Sequence, residues 1–219
     1  MEVLARGAEA VLYADVVDGR KVLVKERVRK SYRIPEIDGR LRRERTNHEV
    51  KLLTDARAAG VPTPQVLDVD KAGNRIVMEF VEGERVKEFL DHSTPARIEK
   101  LCERIGRLVG RLHGRGITHG DLTTSNMIVH RDSGKVYFID FGLGGYSNRV
   151  EEKAVDLKLL RDALKAAHYK ILKRCWGIIV EGYKKEFKSA EEVIKQIDAI
   201  EGRMRYAERA ANPEGKGRV

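Results

Sequence analysis

Apolar residues along this chain follow two periods. Up to about residue 84 they come in short aliphatic runs with the two-residue alternation of strands, and beyond it they mostly recur every three or four positions, as on helices. Val3-Leu4, the run from Ala10 to Val17, and Lys21-Val22-Leu23-Val24-Lys25 read as strands, the last two joined by a turn at Asp18-Gly19. Val66-Leu67-Asp68-Val69 and the run from Arg75 to Val81, split by a turn at Lys71-Ala72-Gly73-Asn74, extend the same sheet. Between these pairs the spacing predicts a helix from about Leu41 to Ala59, with Val50, Leu53 and Ala56 inward and Gly60 with Pro62 as its stop. Val81-Glu82-Gly83-Glu84 reads as a linker. Ile98, Leu101, Ile105, Leu108, Val109 and Leu112 then mark one face of a long helix ending at His113-Gly114. One exception interrupts the helical half: Met127-Ile128-Val129 and Val136-Tyr137-Phe138-Ile139 flank Asp132-Ser133-Gly134-Lys135 as a hairpin. Helices are expected near 151–173, 174–187 and 190–211, followed by a flexible basic tail at 212–219.

A chain of 219 residues suffices for one sizeable core or two small lobes, and 42% hydrophobic content with five prolines indicates that it folds. The formal charge of +9 changes the picture more. It makes a polyanionic partner plausible, nucleic acid first, although surplus Lys and Arg also serve solubility. Much of the excess lies between Glu26 and Arg45, where Arg27, Arg29, Lys30, Arg33, Arg40, Arg42 and Arg43 stand close together. Cys102 and Cys175 have no companion at metal-ligand spacing and read as core residues in a reducing compartment. The start of the chain lacks a signal-peptide pattern, and no apolar run approaches the roughly 20 residues of a membrane span, so the expectation is a cytoplasmic protein with no membrane partner. Abundant Glu, Lys and Arg beside only two Gln suits a heat-adapted host.

Candidate chemistry gathers between residues 118 and 142. Asp121 and Asn126 precede the first hairpin strand, and Asp140 follows the second. Phosphoryl transfer from a magnesium nucleotide needs a carboxylate to take the nucleophile's proton and hard oxygen ligands for the metal. Asp121 fits the first role; Asn126 and Asp140 fit the second. Upstream, Gly7-Ala8-Glu9-Ala10 lies between two strands, either as a plain turn or as a loop whose N–H groups face phosphates. Lys25 ends a strand, where an ammonium can reach the α- and β-phosphates or simply be solvated, and Glu49 on the following helix can pair with it or with a neighbouring arginine. Glu79 and Val81 would offer main-chain groups to an adenine edge, with Met78 lining the pocket behind the base.

Lys25, Glu49, the Met78-Glu79-Phe80-Val81 segment, His119-Gly120-Asp121 with Asn126, and Asp140-Phe141-Gly142 together resemble the eukaryotic-like protein-kinase fold. More narrowly, Gly7-Ala8-Glu9-Ala10, Lys30-Ser31-Tyr32-Arg33-Ile34-Pro35 with Asp38, Arg45-Thr46-Asn47-His48-Glu49 and Gly120-Asp121-Leu122-Thr123-Thr124-Ser125-Asn126 are similar to the small atypical serine/threonine kinase of the KEOPS complex, a family that includes the p53-related protein kinases. This narrower match spans residues 7–160. It implies an α+β, two-lobed minimal kinase-like fold: an N-lobe of sheet and one helix at 1–81, a mainly helical C-lobe at 82–211, and the tail at 212–219. It further implies ATP and Mg2+ as cofactors, phosphorylation of itself and of some proteins, and chiefly ATPase action in a complex that makes threonylcarbamoyladenosine in tRNA. Expected partners are the other KEOPS subunits, above all the tRNA threonylcarbamoyltransferase subunit. By match, Lys25 binds phosphate, Glu49 positions it, Asp121 is the catalytic base, Asn126 and Asp140 hold magnesium, and Asp156 braces the catalytic loop. The basic insert after Lys25 and the C-terminal residues Arg203, Arg205, Arg209, Lys216 and Arg218 are expected to meet tRNA.

Departures from ordinary protein kinases matter as well. Gly120 replaces the arginine that usually precedes the catalytic Asp, the stretch from Gly142 to Asp156 is too short for a full activation segment, and no Ala-Pro-Glu follows. Thr123 stands where serine/threonine kinases commonly have lysine. Two other readings compete: a small-molecule kinase of the aminoglycoside type, which the Asp-Phe-Gly triplet and basic insert disfavour, and a nucleotide-gated scaffold, which the complete set of polar catalytic residues disfavours.

Overall fold

The computed structural model describes residues 1–70 and 74–211, with side chains as far as Arg203. The expected tail at 212–219, the turn residues 71–73 and the side chains of Arg205 and Arg209 lie outside the described residues. The fold is α+β and two-lobed. In the smaller lobe, β1 (Glu2–Arg6), β2 (Ala10–Val17), β3 (Arg20–Arg27), β4 (Val66–Asp70) and β5 (Arg75–Glu79) form an antiparallel sheet in the order β1-β2-β3-β5-β4. Asp18 and Gly19, both at positive φ (50° and 74°), make the tight turn between β2 and β3 that the Asp-Gly pair signals.

The helix of this lobe, α1, runs Pro35–Ala58 and so begins ahead of the expected Leu41. Pro35 suits the first helical position, where its missing N–H costs nothing, and Glu36 and Asp38 complement the helix N-terminus. Its early turns bury Asp38 and Thr46 rather than an apolar stripe, which is why hydrophobic spacing does not reveal them.

The expected linker at 81–84 is partly a strand. β6 (Gly83–Arg85) pairs with β8 (Met127–His130), which pairs in turn with β9 (Val136–Phe138). Gly83 permits this crossing, since a Cβ there would sit 2.1 Å from the Val129 carbonyl oxygen. α2 (Val86–His92) and α3 (Pro95–Gly114) follow, and β7 (Ile117–Thr118) pairs with β10 (Gly145–Tyr146). α4 (Val150–Ala167), α5 (Leu172–Glu186) and α6 (Ala190–Ala211) complete the larger lobe. The helix expected to reach 173 stops at 167 because His168 leaves helical geometry and turns its Nε2 toward the Lys87 carbonyl (3.1 Å) on α2.

The core of the larger lobe lies around α3. Gly106 and Gly182 let α3 and α5 approach almost backbone to backbone: a Cβ would fall 2.1 Å from the Ile179 carbonyl oxygen at Gly106 and 2.4 Å from that of Glu103 at Gly182. Cys102 and Cys175 are buried and free, as expected. Among the described residues no helix is long and apolar enough to cross a membrane.

Candidate active site

The hairpin β8–β9 sets the first distances. Met127 opposes Phe138, and Ile139 N–H donates to the Asn126 carbonyl (3.0 Å), so Asn126 and Asp140 leave the hairpin side by side. The Asn126 amide donates to both the carbonyl (2.9 Å) and Oδ2 (2.8 Å) of Asp121. With its nitrogen so engaged, its Oδ1 is the end left to act as a ligand. Asp140 has φ +62°, a left-handed conformation uncommon outside glycine and one that clusters at functional sites.

Two buried groups hold this loop in shape. Asp156 on α4 accepts the backbone N–H of His119 (2.5 Å) and of Gly120 (2.8 Å), with His113 Nε2 3.3 Å away. Burial alone would raise the Asp156 pKa, but its bonds to His113 and the loop N–H hold it below the ordinary carboxylate value. His119 stacks at 4.5 Å on Phe141 and donates from Nε2 to the Ile139 carbonyl (3.0 Å). Burial pushes its pKa down, so the ring is neutral and its Nδ1 is free to accept the Asp121 N–H (3.3 Å). Both side chains thus fix the backbone of residues 119–121.

Across the cleft, Lys25 Nζ donates to Glu49 Oε1 (2.6 Å) and to Asp140 Oδ1 (2.8 Å). Burial would lower the Lys25 pKa, yet the two carboxylates outweigh it and raise the value above that of a free lysine. Burial likewise opposes ionisation of Asp140, and Lys25 overrides it, leaving the carboxyl below its ordinary pKa. The Gly7–Ala10 turn closes with Gly7 N–H on the Ala10 carbonyl (2.9 Å). Together with Lys25 and Asp140 it lines a cavity of about 440 Å3. A second cavity of about 580 Å3 is lined by Leu12, Leu23, Glu79, Val81, Ile128 and Ile139; it adjoins the first, since Ala5 and Leu12 border both. Met78 lies buried behind this wall and does not line it; its cross-strand partner Leu23 does. Glu79 N–H already donates to the Gln65 carbonyl (2.8 Å).

The basic insert departs from expectation. Arg27 is only 5% exposed and donates to Glu49 Oε2 (2.6 Å), which removes it from any outward-facing nucleic-acid surface. Arg33 and Arg42 turn toward buried Asp38 (3.6 and 2.8 Å), and Arg45 bonds Glu9 of the Gly7–Ala10 turn. Hydrogen bonding to Arg45 holds the Glu9 carboxyl below its ordinary pKa. Lys30 reaches the Ala8 carbonyl of the same turn. Of the expected cluster Arg27, Arg29, Lys30, Arg33, Arg40, Arg42 and Arg43, only Arg29, Arg40 and Arg43 are exposed, Arg40 beside Glu44 at 3.7 Å. Near the end of the described side chains, Arg203 pairs with Glu151 at 2.7 Å. The sequence pattern placed Arg27 in a solvated run, yet its position two residues beyond Lys25 on one strand puts both on the same face.

Gly120 has φ +78°, and a Cβ there would meet the Leu143 carbonyl oxygen at 2.0 Å, so the arginine of ordinary kinases is sterically excluded. The short segment that follows folds back: β10 pairs with β7, His48 Nε2 lies 3.0 Å from the Gly144 carbonyl, and Tyr146 Oη donates to Asp55 (2.6 Å). Among the described residues no group of three or more His, Cys, Asp or Glu forms a metal site on protein ligands alone. Asn126 and Asp140 instead offer two oxygen donors at one end of a hairpin, the donor set that suits magnesium bound jointly with phosphates.

Comparisons with known proteins agree with this geometry. A family profile described as "RIO domain" matches residues 18–165. The "KEOPS complex subunit Bud32" of Pyrococcus abyssi is 45% identical, over 96% of this chain and 98% of that protein. A "Probable bifunctional tRNA threonylcarbamoyladenosine biosynthesis protein" of Methanothermobacter thermautotrophicus is 43% identical over 94% of this chain, which spans 37% of that longer protein. Among solved structures, the Rio2 kinase-ADP/Mg2+-phosphoaspartate complex from Chaetomium thermophilum superposes with a TM-score of 0.62 at 15% identity, covering 94% of this chain and 72% of that one; the likeness is one of fold.

Proposed function

The chain belongs to the RIO-domain family and, within it, to the Bud32 subunits of the KEOPS complex, and from that premise we propose that it is an ATP-dependent phosphotransferase and ATPase serving threonylcarbamoyladenosine modification of tRNA. The observation that carries this reading is that Lys25, bonded to both Glu49 and Asp140, lines a cavity with the Gly7–Ala10 turn, while Asn126 leaves the hairpin beside Asp140 and bonds Asp121.

Residues 1–81 grip the nucleotide: the cavity between Leu12, Leu23 and Ile139 takes the adenine, and Lys25 with the Gly7–Ala10 turn takes the phosphates. Residues 82–211 supply the chemistry. Asn126 and Asp140 would hold Mg2+, whose charge would offset that of the phosphates. Asp121 accepts the proton of the attacking hydroxyl or water as its oxygen bonds to the γ-phosphorus and the bond to the β,γ-bridging oxygen breaks, releasing ADP. With water the product is inorganic phosphate; with a Ser or Thr hydroxyl, on this chain or another protein, it is a phosphoester. Hydrolysis is favoured as the main output because the segment after Gly142 is short and folded against β7 and α1, leaving little surface on which to dock a peptide.

The protein acts in the cytoplasm with the other KEOPS subunits, especially the tRNA threonylcarbamoyltransferase subunit. Arg29, Arg40 and Arg43, together with the tail at 212–219, contact tRNA phosphates. The test is ATP turnover by the purified chain alone, with that subunit, and with tRNA added. Magnesium-dependent turnover that rises at least tenfold in the assembled mixture supports the reading. A chain that instead phosphorylates a small alcohol without any partner overturns it.

A further inference from the structure

We propose that Arg27 is a positioning residue of this site: it holds Glu49 in place while Lys25 is drawn to the phosphates of the nucleotide. The proposal rests on the nucleotide reading above. Glu49 is 1% exposed and both its carboxylate oxygens are engaged, Oε1 by Lys25 at 2.6 Å and Oε2 by Arg27 at 2.6 Å. Lys25 is shared, since it also bonds Asp140 at 2.8 Å. The four groups form a chain, Arg27–Glu49–Lys25–Asp140, with two positive and two negative members.

A triphosphate and a divalent cation disturb that balance at one end. Phosphates compete for Lys25 and the metal competes for Asp140, so Glu49 loses part of its neutralising charge in a place where a buried carboxylate needs a partner. Arg27 is the cation that remains. Its strand fixes it: its N–H donates to the Asn74 carbonyl (3.1 Å), and its own carbonyl accepts from Arg42 (3.4 Å). A guanidinium cannot lose its proton here, which makes it a permanent counter-charge. Arg27 also borders the phosphate side of the cleft. Its Nη1 lies 4.0 Å from Glu9, and a Cβ on Gly142 would stand 3.5 Å from its Nη2. Its Nε is buried without a hydrogen-bond partner among the described residues. One side chain thus meets the phosphate turn, helix α1 and the metal loop.

With Arg27 removed, Glu49 must rely on Lys25 alone and holds it back from the nucleotide. The affinity of the full chain for magnesium-ATP, measured by calorimetry, should then fall at least tenfold in Arg27→Ala. In a Glu49→Gln background the same change should cost less than twofold, because the charge to be held is gone. Arg27→Lys should recover affinity to within threefold of wild type. Should the alanine variant not fold, Arg27→Gln, which keeps a donor near Glu49 without the charge, enters the same cycle. Urea midpoints are recorded for every variant. An unchanged affinity with only a lowered midpoint would make Arg27 a structural residue and overturn the proposal. An equal loss in both backgrounds would mean direct phosphate binding and overturn it as well. A wild-type chain that does not bind magnesium-ATP would refute the nucleotide reading itself, before any variant is compared.

Discussion

Lys25 Nζ lies 2.8 Å from Asp140 Oδ1, so the cation proposed for the phosphates and the carboxylate proposed for the metal neutralise one another. Separating them favours two ligands arriving together, a triphosphate for Lys25 and a divalent cation for Asp140. Magnesium should therefore strengthen ATP binding by at least tenfold in the wild type, about 1.4 kcal/mol. In Asp140→Ala that ratio should shrink to within about twofold, roughly 0.4 kcal/mol on the same scale. Calorimetry with magnesium and with a chelator reads the ratio directly. A variant that keeps a tenfold magnesium effect would contradict the metal assignment.

Asp156 braces the loop at His119-Gly120-Asp121 through two backbone N–H groups and faces His113. Asp156→Ala leaves those buried donors unsatisfied, and the expected loss of stability is about 3 kcal/mol by urea unfolding at neutral pH. A change below about 1 kcal/mol would show that the loop keeps its shape without the brace.

His119 gives a pH signature. Burial lowers its folded pKa below the ordinary 6.5, so below pH 6.5 the unfolded chain takes up a proton that the folded chain refuses. Stability contributed by the neutral ring is complete above 6.5 and falls as the pH drops toward the folded value, by at most about 1.4 kcal/mol per pH unit for one proton. Between pH 7.5 and 5.5 the wild type should lose more stability than His119→Asn, which cannot titrate. Equal losses in both proteins would mean that His119 is protonated as easily folded as unfolded.

Gly120 and Ser147 bear on regulation. At φ +78°, with the Leu143 carbonyl oxygen 2.0 Å from a Cβ, Gly120 cannot become the arginine that would read a phosphorylated loop. Gly120→Arg should not yield folded protein. Ser147→Ala should leave turnover within about threefold, roughly 0.7 kcal/mol. A hundredfold loss in a folded Ser147→Ala protein would point to activation by phosphorylation after all.

The chemistry was easier to read in the sequence than its supports. Asp121, Asn126 and Asp140 stand close together around one hairpin, so strand spacing alone brings Asn126 beside Asp140. The alternating runs at 10–17, 21–25, 66–69 and 75–81 mark four of the five strands of the first sheet, β2 to β5. The start of α1 was hidden because its first turns bury Asp38 rather than apolar residues. β6 was read as linker because three residues containing a glycine show no strand pattern until β8 is placed beside them. Arg27 is expected at a tRNA-facing surface because composition does not tell which side of a strand faces the cleft; its two-residue offset from Lys25 is the available signal. The pairing of Glu9 with Arg45 depends on how the insert folds over the phosphate turn, which local pattern does not determine.

Asp121→Asn tests the central claim most directly. The substitution is nearly isosteric and leaves the contacts of Lys25, Glu49 and Asp140 in place, so magnesium-ATP affinity should stay within about threefold of wild type, roughly 0.7 kcal/mol. It removes the carboxylate proposed to accept the nucleophile's proton, and turnover of magnesium-ATP by the purified chain should fall at least a hundredfold, about 2.7 kcal/mol of transition-state stabilisation. Turnover equal to wild type, after contaminating ATPases are excluded by parallel purification of Asp140→Ala, would contradict the assignment of this cleft as a phosphoryl-transfer site.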